Sequence, residues 1–184
     1  MKKVIVFLAD GFEEVEALTP VDILRRAGVS VTVVGVGNDV ITGARGVKVL
    51  PDTDISQMDI TDCDMIVLPG GFPGFENLAN CKAVMDAVEY MTKEGRFVTA
   101  ICGAPAVVLG KNGFLSDKRA VCYPGMEADL NCKEISAENV CIDGNFITSK
   151  SAATAMEFAF ALTQALCGKQ KADEVKKGIV YDAE

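Results

Sequence analysis

The sequence predicts an α/β sandwich, a mainly parallel sheet held between two layers of helices. Two kinds of segment carry that prediction. Val4 to Leu8 and Met65 to Leu68 are short, unbroken apolar runs, as expected of strands buried on both faces of a parallel sheet. Between such runs lie helix-length stretches with apolar residues three and four apart, and strands alternating with helices build a sheet with both faces covered. Residues 1–184 read as one domain, since no linker-like or repetitive stretch divides them.

Val4 to Leu8 is the first strand, and Ala9-Asp10-Gly11-Phe12 turns the chain into a helix that runs to about Ala27. Val15, Leu18, Val21 and Leu24 form its apolar stripe. Pro20 falls in its early turns, where an irregular turn or a kink is expected, and Gly28 stops it. Ser30 to Val36 is the second strand. Val40 to Leu50, with Gly43 and Gly46 between β-prone pieces, reads as a small hairpin. Met65 to Leu68 ends in Pro69-Gly70-Gly71. Cys81 to Lys93 is helical, with Val84, Ala87, Val88 and Met91 on one stripe and Gly95 at its end. Phe97 to Ile101 is a strand that runs directly into Cys102, and Ala104 to Leu109 is a short helix. Arg119 to Cys122 reads as a strand. Asn139 to Ile142 and Asn145 to Thr148 are strands joined at Asp143-Gly144, a hairpin signal. Ala152 to Leu166 is apolar nearly all round, which marks a buried helix, and Gly168 caps it.

Composition removes several classes of function. The formal net charge is −8, and the densest basic cluster, Lys169 to Lys177, is broken by Asp173 and Glu174. That cluster reads as a solvated C-terminal helix face, and no nucleic-acid partner is expected. No stretch approaches the ~18 apolar residues of a membrane span. The N-terminal apolar run stops at Asp10, too early for a secretory leader, so a cytoplasmic protein without a membrane partner is expected. The 7 cysteines (63, 81, 102, 122, 132, 141, 167) are odd in number and contain no CxxC spacing, which argues against a disulfide scaffold. The chain has 0 histidines, so His-based zinc sites and Cys-His dyads are ruled out. Neither a metal nor a cofactor is expected. Most of the cysteines are expected to be small buried apolar residues.

In parallel sheets, ligands bind beyond the carboxyl ends of the strands. That rule selects the loops Asp10 to Glu16, Pro69 to Phe75, Cys102 to Pro105 and Cys122 to Gly125, which are expected to converge on one crevice. Cys102 stands out among the cysteines. Strand, nucleophile, sharp turn and helix follow one another there, the geometry of a nucleophile elbow without the GxSxG pattern. An elbow exposes the side chain and sets sulfur at a helix N-terminus, which favours thiolate. It also aims the Gly103 N–H at any oxyanion formed on a group the sulfur attacks, and the Gly71 N–H is placed to be a second donor. Glu13 and Glu14 are expected on a solvated face as dipole partners of the first helix. Glu16 points elsewhere. If it faces Cys102, one of the two must keep a proton, and a protonated Glu16 donating to the thiolate would be the general acid/base of a chain without histidine.

These segments carry a resemblance. Asp10-Gly11-Phe12-Glu13-Glu14-Val15-Glu16, Pro20 to Gly28, Leu68-Pro69-Gly70-Gly71, Ala100-Ile101-Cys102-Gly103-Ala104-Pro105 and Thr148-Ser149 resemble the ThiJ/PfpI superfamily, most closely its branch containing the parkinsonism-associated deglycase (DJ-one). The resemblance implies a flavodoxin-like three-layer sandwich and a homodimer with the first helix in the contact. By resemblance, Cys102 matches the oxidation-prone nucleophile, Glu16 its hydrogen-bonded acid, and Gly71 and Gly103 the backbone donors. Gly70 and Tyr123 are further pocket candidates. Arg45 and the loop at Ala152 match positions that approach the pocket from the partner subunit. Tyr123 is a departure, because many members place a histidine before that proline. Tyrosine, with a pKa near ~10, is a poor base at neutral pH, so peptidase chemistry is not expected.

The activity so implied is glutathione-independent conversion of methylglyoxal, or repair of its adducts, through Cys102. The rival is a non-enzymatic stress sensor or chaperone in which Cys102 is oxidised to sulfinate. A flavin-binding module is disfavoured because no phosphate-cradling loop opens the chain.

Overall fold

Seven strands form the central sheet of the computed structural model, which describes residues 1–181. The chain enters through β1 (Lys3–Ala9), α1 (Glu14–Arg26) and β2 (Ser30–Val36). A short hairpin of β3 (Ile41–Thr42) and β4 (Lys48–Val49) follows, then β5 (Thr53–Asp54) and a single 3-10 turn at Ile55–Gln57. Next come β6 (Met65–Leu68), α2 (Gly74–Asn80), α3 (Lys82–Lys93) and β7 (Phe97–Ile101). A π-helical segment, Pro105–Gly110, leads to β8 (Arg119–Ala120), α4 (Glu127–Leu130) and β9 (Glu134–Ile135). The chain closes with β10 (Val140–Asp143), β11 (Phe146–Ser149), a 3-10 turn at Ala152–Thr154, α5 (Ala155–Cys167) and α6 (Lys169–Gly178).

The strand order is β10-β11-β7-β6-β1-β2-β5. All neighbours run parallel except β10 and β11, which form the antiparallel hairpin expected at Asp143-Gly144. The five parallel strands from β2 to β11 have the flavodoxin-like arrangement. The strand order reverses between β1 and β6, and a crevice opens above such a switch point.

Alternate residues of each strand enter opposite cores. Ile5, Phe7, Ile66, Leu68 and Val98 face α2 and α3, where Leu78, Val84, Val88 and Met91 meet them. Val4, Val6, Leu8, Met65, Val67 and Ile147 face α1 and α5, where Ala17, Leu24, Phe158 and Leu162 meet them. The stripe expected on α3 is buried throughout. On the far side of α1 and α5, Ile23 and Phe160 pack with Val175 of α6, whose Lys169 and Lys177 are exposed while Lys176 lies over the Phe160 ring.

Several elements differ from the sequence reading. Val15 is 49% exposed, because α1 turns Glu16, Ala17, Pro20 and Val21 inward instead. α1 is continuous through Pro20. The strand expected at Arg119 to Cys122 is shorter and lies outside the main sheet, paired with β9. It stops because the Val121 N–H turns to the Thr148 hydroxyl (3.0 Å) and the Tyr123 N–H to the Cys102 carbonyl (2.7 Å). The helix expected from Ala152 begins with a 3-10 turn and becomes α-helical at Ala155.

Candidate active site

All four loops singled out by the carboxyl-end rule meet above β1, β6 and β7. The Glu13 N–H bonds the Gly70 carbonyl (2.9 Å), the Gly70 N–H bonds the Glu16 carboxylate group (2.9 Å), and Tyr123 is tied to the Cys102 backbone. The last residue of β11 joins them: the Ser149 carbonyl accepts the Cys102 N–H at 2.9 Å.

Cys102 sits at the end of β7 with φ +67°. Non-glycine residues avoid that region because Cβ crowds the backbone, and they persist there only when the surroundings over-determine them. Here both backbone polar groups of Cys102 are bonded, to Ser149 and to Tyr123. The elbow lifts the sulfur out of the sheet into a partly exposed position, with the Gly71 and Gly103 N–H groups facing it.

Glu16 projects from the first turn of α1 and is 0% exposed. Its Oε2 accepts from Gly70, and the Ala152 N–H faces the same carboxyl. Among the described residues its Oε1 has no hydrogen-bond partner of good geometry, and the Cys102 thiol lies against the same carboxyl group. A buried carboxylate oxygen without a donor is costly. A carboxylic acid whose O–H points at sulfur removes that cost.

Electrostatics agree. Burial, with a smaller contribution from the charge of Glu13, pushes Glu16 up to about 7. Burial and then the neighbouring carboxylate push the Cys102 thiol up to about 12. The elbow's N–H groups therefore do not by themselves produce a low-pKa thiol, against the expectation from the helix N-terminus. The two groups titrate as a unit that shares one proton above about 7. Gly71 and Gly103 favour charge on sulfur, and Gly70 and Ala152 favour charge on the carboxylate.

Gly70 and Gly71 are glycines for steric reasons. A Cβ on Gly70 would overlap Glu16 Oε2 and Cys102 Cβ, driving acid and thiol apart. Gly71, at φ +90°, lies against the backbone of Gly11, Phe12 and Glu13. The Gly103 Cα packs on the Phe75 ring.

The remaining candidates lie further out. Within the one chain, Ala152 reaches the pair directly, and Arg45 reaches it through Glu13, 3.7 Å from its guanidinium. Tyr123 is joined to the elbow by its backbone, and its side chain is 47% exposed. Cys122 is buried, and burial pushes its thiol up to about 12. Glu14 is not on a solvated face. It is buried, and its Oε1 accepts the Arg45 N–H (2.7 Å) and the Val47 N–H (3.3 Å), which holds the tip of the β3–β4 hairpin. Sequence reasoning gave no role to the buried hydroxyls of Ser149 and Thr154, although Ser151-x-x-Thr154 at a helix start is a capping pattern.

Residues 2–165 match the DJ-1/PfpI family. The chain belongs to the DJ-1/PfpI family. The match contains every candidate site residue and ends just before the close of α5. Among curated members, the chain is 40% identical over 182 residues to protein dj-1beta of Drosophila melanogaster, covering 97% of each. It is 44% identical over 183 residues to protein DJ-1 homolog B of Arabidopsis thaliana, covering 97% of this chain but only 41% of that longer protein. It is 30% identical over 167 residues to the glutathione-independent glyoxalase DJR-1.2 of Caenorhabditis elegans, covering 90% of this chain and 88% of that one. Among solved structures, oxidized DJ-1 of Toxoplasma gondii superposes with a TM-score of 0.95 at 33% identity, covering 99% and 100% of the two chains.

Proposed function

We propose that this protein converts small reactive carbonyls, methylglyoxal first among them, to the corresponding hydroxy acids without glutathione. The observation that carries the reading is the unpartnered Oε1 of a fully buried Glu16 beside a cysteine on a strained elbow. The DJR-1.2 relative, named for that activity, supports it.

The chemistry follows from the pair. The proton the pair shares passes to Glu16 as the Cys102 sulfur adds to the aldehyde carbon, so the S–H bond breaks as the C–S bond forms, and the Gly71 and Gly103 N–H groups bond the resulting oxyanion. Glu16 gives that oxygen its proton and, now a carboxylate, removes the hydrogen from the former aldehyde carbon. Protonation of the adjacent carbon leaves a thioester of lactate. Water hydrolyses it and frees the thiol. One carbon is oxidised and its neighbour reduced within the same molecule, so only water is consumed. Repair of early glycation adducts would reuse the same addition. With Tyr123 in the position many relatives give to histidine, all proton transfer falls to Glu16.

The test is lactate release from methylglyoxal by purified protein in the absence of glutathione. Wild type is expected to turn over and Cys102→Ala to fall to background. Full activity in Cys102→Ala would overturn the assignment.

The sensor reading uses the same sulfur, since the Gly71 and Gly103 N–H groups would also hold a sulfinate. Peroxide that adds two oxygens selectively at Cys102, in a protein that makes no lactate, would favour it. We place the protein in the cytoplasm, where reducing conditions keep thiols free, as all the cysteines are here. No described helix is long and apolar enough to cross a membrane. We further propose a homodimer through the exposed Val15, Val47 and Leu50, which flank the start of α1 and the β3–β4 hairpin.

A further inference from the structure

Two buried hydroxyls have no part in the chemistry above. Ser149 is 0% exposed and Thr154 is 7% exposed, and their oxygens stand 2.7 Å apart. The Ser149 hydroxyl donates to the Asn139 carbonyl (3.1 Å). The Thr154 oxygen accepts the Ser151 N–H (3.1 Å) and lies 2.9 Å from the Ser151 carbonyl. Each hydroxyl has one hydrogen to give. With Ser149 committed to Asn139, Thr154 donates either to Ser149 or to Ser151, so two hydrogens are shared among three contacts.

The pair is fastened to the site at both ends. The Ser149 carbonyl accepts the Cys102 N–H and so fixes the strained elbow. Thr154 closes the turn Ser151–Thr154, which contains Ala152, the residue whose N–H faces Glu16. We propose that the Ser149–Thr154 hydroxyl pair is a positioning clasp that holds the Cys102 elbow and the Ala152 N–H in one fixed relation to Glu16. This rests on the acid–thiol reading of the site. Thr154 is then a positioning residue that acts through Ala152, while an ordinary helix cap would add stability and nothing else.

The sign of its effect can be stated. Ala152 favours the ionised carboxyl more weakly than Gly70 does, so its withdrawal makes the first proton slightly harder to remove from the Glu16–Cys102 pair. Among the described residues the other charged group acting on Glu16 is Glu13, itself paired with Arg45.

The experiment is the pH dependence of iodoacetamide alkylation at Cys102, followed by peptide-resolved mass spectrometry in wild type, Thr154→Val and Thr154→Ser. Thr154→Val is expected to raise the lower midpoint, the one set by loss of the pair's first proton, by about half a pH unit, the low end of what one net hydrogen bond contributes. Thr154→Ser, which keeps the hydroxyl, is expected to restore it. A lower melting temperature with the wild-type midpoint in Thr154→Val would reduce the pair to a helix cap and overturn the proposal. Should Thr154→Val not fold, Ser149→Ala removes the other oxygen of the 2.7 Å contact and is read in the same way. Alkylation does not depend on turnover, so a protein that makes no lactate leaves this test intact.

Discussion

Glu16 holds a proton at a pH where an exposed glutamate has lost it, and that has consequences for stability as well as chemistry. Its ordinary value of 4.5 rises to about 7 in the folded chain. The folded state therefore binds a proton that the unfolded state has released between those values. Stability linked to this group is complete below 4.5, declines as pH rises, and is lost above about 7. The loss is on the order of 3 kcal/mol for a fully buried group with a shift of this size. Glu16→Gln keeps an oxygen for the Gly70 N–H and an N–H for the sulfur, and it has no charge to bury. The variant's melting temperature is expected to match wild type at pH 4.5 and exceed it at pH 8, while lactate release falls at least ~100-fold. Equal pH dependence of the two melting curves would show that Glu16 is not the buried acid. Cys102 and Glu16 were legible in the sequence because strand, cysteine, glycine and proline leave few readings, and because the chain has no histidine to compete. Glu14 was misread because acidic residues at a helix start usually face water. Only the fold of the following hairpin turns this one inward.

The β3–β4 hairpin is too short to hold itself, with two residues in each strand. Its tip is held from outside, by the Glu14 carboxylate on the Arg45 and Val47 N–H groups. The Ala44 N–H adds a bond to the Phe12 carbonyl at 2.8 Å. Glu14→Ala removes two charge-assisted bonds and is expected to cost about 2 kcal/mol. Hydrogen exchange at Arg45 and Val47 should accelerate in that variant while the amides of β1 stay protected. Uniform acceleration across the chain would mean that the tip is not locally anchored. Periodicity revealed the long elements and the hairpin but passed over β5, β9 and α2. Two residues define no period, and α2 starts on a glycine that packs against the Gly11–Phe12 backbone, so its signal is tertiary. Likewise, β8 left the main sheet because of bonds to Thr148 and Cys102, residues distant in sequence.

At the scale of the molecule, the α/β class followed from alternation of segments, but strand order did not. Apolar runs at β1, β6 and β7 say only that each is buried. The reversal between β1 and β6, which opens the crevice, lies in pairings such as Val4 with Val31 on one side and Met65 on the other. The same scale decides the state of assembly. Val15, Val47 and Leu50 are 49%, 48% and 76% exposed, and Glu14 ties the first two to one place. A second copy covering that face would bring solution mass to about 39 kDa, twice the 19.5 kDa chain. Val15→Asp tests the face without threatening the fold, because an acidic residue in the first turn of α1 suits the helix dipole. Light scattering is expected to give the dimer mass for wild type and the single-chain mass for the variant at micromolar concentration. A variant that stays dimeric would move the interface elsewhere on the surface. A monomeric wild type would mean that the pocket, with Arg45 at its rim, is complete in one chain.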